Sequence, residues 1–206
     1  MRTKTPFLAE KVLDAAGRLF GAKRFHEVRM EDIAAEAEVS KGTLYRYFHD
    51  KDEMYLALLE RASHQLVAEL HTRVAAAAGG RARLIAFVDA VIAFFDRRPH
   101  LFDLIQRAEV GHEQGRAFPW QEVRDKGMRI VLDIFADAKD AGEFAVRDPN
   151  SAMLMLLGGM RAVIRAGKRP RPRDLADRLV ADFLDGAATV APKRPSKNGR
   201  VARPTA

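Results

Sequence analysis

Apolar residues recur along the chain at helical spacing. Leu8, Val12, Ala15, Ala16, Leu19 and Phe20 trace one stripe and predict an amphipathic helix from about Pro6 to Ala22. Met30, Ile33, Ala34 and Ala37 mark a short second helix. Ser40 suits the cap of a third, running to about Phe48, and Asp50 suits the cap of a fourth. The fourth carries Asp52 and Glu53 in its first turn, where the helix dipole favours acids. It continues through Leu58, Ala62, Leu66 and Leu70 to about Ala77. Gly79-Gly80 breaks the pattern. Helices are predicted beyond it at about 81–97, 99–110, 118–141, 149–167 and 172–190, punctuated by glycine and proline. No long alternating run indicates a strand, and no fixed period indicates a repeat.

Composition fits an all-α globular chain. Of 206 residues, 48% are hydrophobic and 31% charged, which argues against disorder over most of the length. Without cysteine there can be neither a disulfide framework nor a thiolate metal site. The basic N-terminus leads into no apolar h-region, and the longest apolar run, Ala152 to Met160, is too short for a membrane span. These features predict a cytoplasmic protein with no membrane partner. The net charge of +7 is unevenly placed. Residues 1–51 carry ten basic and eight acidic residues, residues 52–190 balance, and residues 191–206 carry five basic residues and no acid. The last segment has little to bury and is expected to be a disordered basic tail. Basicity therefore says little about the folded body, and any case for nucleic acid has to come from particular residues.

Residues 30–48 provide such a case. Two short helices joined by a tight turn at Glu38-Val39 make a helix-turn-helix outline. Ile33, Ala34, Ala37, Val39, Leu44 and Phe48 can form its small core, leaving Lys41, Thr43, Tyr45, Arg46 and Tyr47 for the outer face of the second helix. A recognition helix presents its N-terminal residues to base edges in the major groove. Ser40 and Lys41 stand at that end, where backbone amides also favour phosphate. Gly42 permits close approach, and Thr43 offers a hydroxyl and a methyl to base edges. Tyr45 and Tyr47 can reach phosphates, Arg46 can meet guanine or phosphate, and Lys51 suits a phosphate clamp.

The stretch from Leu8 to Leu59 closely resembles the N-terminal domain of the TetR family of transcriptional regulators. The resemblance is carried by Ala15 to Phe20, Asp32-Ile33-Ala34, Ala37, Val39 to Phe48, and Lys51. It implies base or phosphate contacts for Ser40, Lys41, Gly42, Thr43, Tyr45, Arg46, Tyr47 and Lys51. Two positions depart from the family pattern. Arg29 stands where Ser or Thr usually caps the second helix; it cannot cap, but it can hold a phosphate. Glu38 stands where the turn usually has glycine. If that backbone has positive φ, a non-glycine costs on the order of 1 kcal/mol. The partner implied is double-stranded DNA with a palindromic operator, read by a homodimer that a small-molecule effector releases.

The expected fold is all-α: an N-terminal three-helix helix-turn-helix domain (1–51), joined through a long fourth helix to a larger helical ligand-binding and dimerisation domain (52–190), then the tail (191–206). By the resemblance, the larger domain surrounds an effector pocket. Phe94, Phe102, Gln106, Trp120 and Met128 are its candidates. The segment Ala152 to Met160 is apolar on every side, so its helix should be buried on every side. One face can pack on its own subunit and the other on a second copy. Gly158 and Gly159 permit close approach there, and Leu179 and Phe183 lie on the apolar stripe of the last helix. These residues, with Met155, are the expected dimer interface, and the resemblance implies a four-helix bundle. The basic run Lys168 to Arg173 is expected to be solvated. No phosphate-binding loop, nucleophile elbow or His-Glu-x-x-His pattern is found, so an enzyme is not expected, and nothing calls for a metal or cofactor. The competing reading, motivated by Arg29 and Glu38, is a helical ligand-binding or scaffolding module without operator recognition.

Overall fold

The computed structural model describes residues 6–102, 105 and 121–186. The candidates Gln106 and Trp120, and the basic tail, lie outside the described residues. Among these the fold is all-α, without strands. Its helices are α1 (Pro6–Ala22), α2 (Met30–Glu36), α3 (Lys41–Tyr47), α4 (Lys51–Ala75), α5 (Gly80–Arg97), α6 (Gln121–Asp140), α7 (Pro149–Ala166) and α8 (Leu175–Asp185). Residues 99–102 begin a further helical turn after α5. None of the described helices is long and apolar enough to cross a membrane.

α1, α2 and α3 pack together as a small head, with α1 seated on α4. Val12, Ala16, Ile33, Ala37 and Leu44 are buried at the centre of the head, as their spacing predicts. A 3-10 turn at Phe25–Glu27 links α1 to α2. The Phe25 ring stacks on Phe20 at 5.4 Å and meets Tyr55 of α4 edge-on at 5.1 Å, pinning the turn to both helices. In the body, α5 touches α4, α6, α7 and α8. Leu84, Phe87, Val88 and Ala90 on α5 are buried there, as are Val131, Ile134 and Phe135 on α6. Gly79 caps α5 at φ +84°, a conformation open to glycine at little cost.

Two expectations change. Asp174 is the N-cap of the last helix, which starts at Leu175 and not at 172. The basic run before it is not wholly solvated. Arg171 has a side chain only 9% exposed and donates to both oxygens of Asp96 at the end of α5 (2.5 and 2.9 Å). It also donates to the carbonyls of Val163 and Ile164 in the last turn of α7. Arg169 reaches the same carboxylate at 3.0 Å. Helix ends carry unpartnered carbonyls, and Arg171 satisfies two of them while tying α7 to α5.

Candidate nucleic-acid interface

α3 is built as a capped helix. Ser40 has extended backbone, and its Oγ accepts the Thr43 N–H at 3.1 Å while lying 2.8 Å from Thr43 Oγ1. That arrangement satisfies one orphan amide and fixes the Thr43 rotamer. Leu44 and Tyr47 are buried, and an α-helical rotation of about 100° per residue places Lys41, Gly42, Tyr45 and Arg46 away from them. Those four are exposed and Thr43 is half-buried. Tyr45 is among the few large apolar side chains left in solvent, at 38%. A Cβ added to Gly42 would meet nothing within 4 Å. The fold therefore gives no internal reason for a glycine at a position where it weakens the helix, and the open space faces outward.

Tyr47 is not on the outer face. It is 6% exposed, because it lies one turn beyond the fully buried Leu44, and the Arg46 guanidinium rests 5.4 Å from its ring. Lys51 also turns inward. Its Nζ donates to the carbonyls of Phe25 (2.6 Å) and Val28 (2.9 Å) and sits 4.3 Å from the Phe25 ring centre. It braces the α1–α2 connection against the first turn of α4.

Arg29 is exposed and extended at the start of α2. Its side chain cannot accept an amide, so Asp32 supplies what capping there is by accepting the Arg29 N–H at 3.1 Å. Glu38 takes φ +52°, the left-handed backbone that the usual glycine adopts without strain. Its carboxylate is engaged by Lys11 Nζ at 2.8 Å, which holds it below the ordinary carboxylate range. Glu31 is held low in the same way by Lys41 at 2.5 Å, and that pairing pushes the Lys41 ammonium up, so Lys41 is a firm cation. Arg18 pairs with Glu36 at 2.8 Å. Acids of α2 and the turn thus pair with two cations of α1 and with Lys41 of α3. Glu31 and Lys11 were not singled out from the sequence; their only signal is opposite charge across two helices whose packing has to be known first.

The body holds a cavity of about 300 Å³ between α4, α5, α6 and α7. Phe102 and Met128 line it; Phe94 does not, and its neighbour Phe95 does. Its few polar groups come from Ser63, Arg124 and Arg161, none of them marked out by the sequence pattern. On α7, Met153, Leu156, Met160 and Ile164 are buried, whereas Leu154 and Met155 are 63% and 71% exposed. Gly158 and Gly159 are exposed on that side, and a Cβ on either would meet nothing within 4 Å. On α8, Leu179 is half-buried, and Phe183 stacks on Phe135 of α6 at 6.1 Å.

Residues 12–58 match the family model described as bacterial regulatory proteins, tetR family. The chain is 35% identical over 95 residues to the HTH-type transcriptional activator FasR of Mycolicibacterium smegmatis, covering 46% of this chain and 43% of that protein. It is 32% identical over 136 residues to the HTH-type transcriptional repressor KstR of the same species, covering 65% and 64%. The chain spans about half the length of the first of the curated relatives it matches. The fold matches that of the transcriptional regulator FadR from Bacillus subtilis, solved in complex with stearoyl-CoA, with a TM-score of 0.70 at 16% identity over 87% of this chain and 99% of that one.

Proposed function

Because the chain belongs to the TetR family of transcriptional regulators, we propose that it is a homodimeric repressor that binds a palindromic operator in the cytoplasm and is released by a small-molecule effector. One observation carries the DNA part. α3 is capped at Ser40 and exposed along Lys41, Gly42, Tyr45 and Arg46. Thr43 and Arg46 are assigned to base edges, and Ser40, Lys41, Tyr45 and Arg29 to phosphates. Gly42 lets the backbone approach the duplex. Tyr47 and Lys51 act mainly from beneath, holding α3 and the α1–α2 turn, with one N–H of the Lys51 ammonium left for a phosphate. Pairing of Glu38 with Lys11 removes the main objection to operator recognition, a bare carboxylate beside DNA.

The dimer is assigned to the outward face of α7, with Met155, Gly158 and Gly159, and to Leu179 and Phe183 of α8. A helix apolar all round with one side open calls for a second apolar partner. The two glycines, which nothing within the chain requires, suit close approach of another helix. The effector is assigned to the body cavity. Apolar walls with a hydroxyl and two guanidinium groups suit an amphipathic anion, and the stearoyl-CoA complex of FadR favours an acyl chain with an anionic head. α4 forms one wall and also carries the head. Occupancy would select a spacing of the two heads that no longer fits successive major grooves, roughly 34 Å apart.

Mobility-shift assays on the chain's own upstream DNA test the assignment. Wild type is expected to give a discrete complex on one palindrome, and Thr43→Ala with Tyr45→Ala to lose it. Unchanged affinity and specificity in the double variant would overturn it. Acyl chains of graded length, added to the complex, test release.

A further inference from the structure

A second cavity, of about 470 Å³ and open to solvent, lies at the seam between head and body. Arg18 of α1, Arg61 and Gln65 of α4, Arg97 at the end of α5, and Arg98 and His100 just after it line it. The seam is tight: His100 Nδ1 stands 3.3 Å from where a Cβ on Gly21 would be. Asp14 is the acid among the lining residues, and Arg61 Nη1 engages it at 2.7 Å together with Glu10 at 2.8 Å. Arg18 is drawn to Glu36, and Arg97 to Glu69 at 2.9 Å. Each of these pairs uses a single nitrogen of a guanidinium that carries five N–H donors.

Arg98 differs from the other three. Among the described residues it forms no ion pair. Its guanidinium lies over the Phe94 ring at 4.5 Å, and its Nη1 is buried with no hydrogen-bond partner. An unsatisfied donor on a charged group costs the desolvation of that group with nothing returned, and such orphans call for a cause. The three further guanidinium groups around the same cavity are held by acids but keep N–H donors to spare. An oxyanion in the cavity would satisfy the orphaned donor and draw on the spare ones.

We propose that the seam cavity is a second ligand site, distinct from the body cavity, that takes a small dianionic oxyanion: phosphate or a phosphate monoester. Its donors come from α1 and α4 on one side and from the end of α5 and the segment after it on the other. A bound anion therefore bridges head and body and favours the one arrangement in which the arginines converge. This site stands on the orphaned Arg98 and not on the nature of the effector or the operator.

Thermal unfolding of the full chain tests it, with inorganic phosphate or glycerol 3-phosphate titrated at constant ionic strength against chloride. The midpoint is expected to rise saturably with phosphate and not with chloride. The ester arm separates a free ion from a phosphorylated metabolite: a rise at lower concentration identifies the ester as the better ligand, and a rise only with the free ion identifies phosphate. Arg98→Gln should weaken the response roughly tenfold or more, the loss of one charge-assisted hydrogen bond, and Arg98→Lys should retain part of it. If Arg98→Gln fails to fold, Arg97→Gln, whose side chain is half in solvent, gives the same comparison. Lys41→Ala should respond like wild type, since the anion is not at α3. No saturable response in wild type, an undiminished response in Arg98→Gln or Arg97→Gln, or a response abolished by Lys41→Ala would each overturn the proposal.

Discussion

Lys51 separates two roles that a lysine beside a recognition helix can play. A phosphate clamp waits in solvent, and its removal changes DNA affinity but not folding. The structure instead draws the ammonium inward onto two carbonyls and an aromatic face. Lys51→Met keeps most of the aliphatic stem and deletes the charge. It strips the Phe25 and Val28 carbonyls of their donor and removes a cation–π contact. Hydrogen bonds to charged groups contribute about 1.5–3 kcal/mol each, and an accessible cation–π contact about 0.5–1 kcal/mol. With partial rescue by water, the net loss is about 2–4 kcal/mol. For a chain of this size each kcal/mol shifts the midpoint by about 2–4 °C, so the variant should melt about 5–15 °C lower. Circular dichroism melts read that directly. The salt dependence of operator binding, measured below the new midpoint, reads any phosphate contact: losing one lowers the slope by about one. A midpoint within a degree of wild type, together with a reduced slope, would refute the bracing role and return Lys51 to the DNA surface.

The remaining predictions divide stability from function. Gly42→Ala should stabilise the head by about 0.5–1 kcal/mol, since nothing in the chain meets the new methyl, and yet weaken operator binding; equal or tighter binding in gel shifts would remove the close-approach argument. Met155→Glu lies on an exposed face, so it should leave the fold intact by circular dichroism and halve the mass in sedimentation; a variant that still sediments as a dimer would place the interface elsewhere. Arg171→Gln should cost about 2–4 kcal/mol in urea unfolding, because it leaves a half-buried carboxylate to Arg169 alone and strips two helix-end carbonyls of their donor. Burial raises the Asp96 carboxyl, but the hydrogen bonds and charges of Arg171 and Arg169 outweigh it and hold the group below its ordinary value of 3.8. A carboxyl depressed in the folded state stabilises at neutral pH, and that stabilisation is lost as the pH falls below about 4. The wild-type advantage over Arg171→Gln should therefore shrink in acid-unfolding curves, and an advantage constant down to pH 2 would contradict it.

The head was legible because each of its features is local. Caps at Ser40 and Asp50, apolar positions three and four apart, and an ordered motif all lie within a few residues of one another. The conditional reading of Glu38 held for the same reason: a two-residue turn between helices demands the left-handed backbone whatever the side chain. What was misread depends on distant partners. Tyr47 has a polar tip and an apolar ring, and only the full burial of Leu44 one turn earlier decides which wins. Lys168 to Arg173 looks like a solvated charge run until Asp96, 75 residues before Arg171, is brought against it. The cavity was harder still. Core and pocket wall use the same residues, and Phe94 and Phe95 differ only by a rotation of 100° about α5. Which one faces a void follows from how four helices pack, and no local pattern encodes that.

α4 is where these features meet. Its 25 residues span about 37 Å. Lys51 at its first position holds the α1–α2 turn. Leu58, Arg61, Ala62 and Gln65 face the seam cavity, and Ser63, Leu66, Val67 and Leu70 face the body cavity. The two cavities thus press on two faces of one helix, a turn or two apart. An α-helix resists bending over such a distance, so displacement by a ligand in the body moves the end that carries α3. A ligand at the seam acts on the same helix from the side of α1 and resists that displacement. If both sites are filled as proposed, the two occupancies couple through a shared element even without touching, and by linkage each alters the affinity of the other by the same factor. On the assignments proposed above, the position of the recognition helix would report the balance of two ligands, an acyl-bearing anion in the body and a small oxyanion at the seam, set against each other across a single helix.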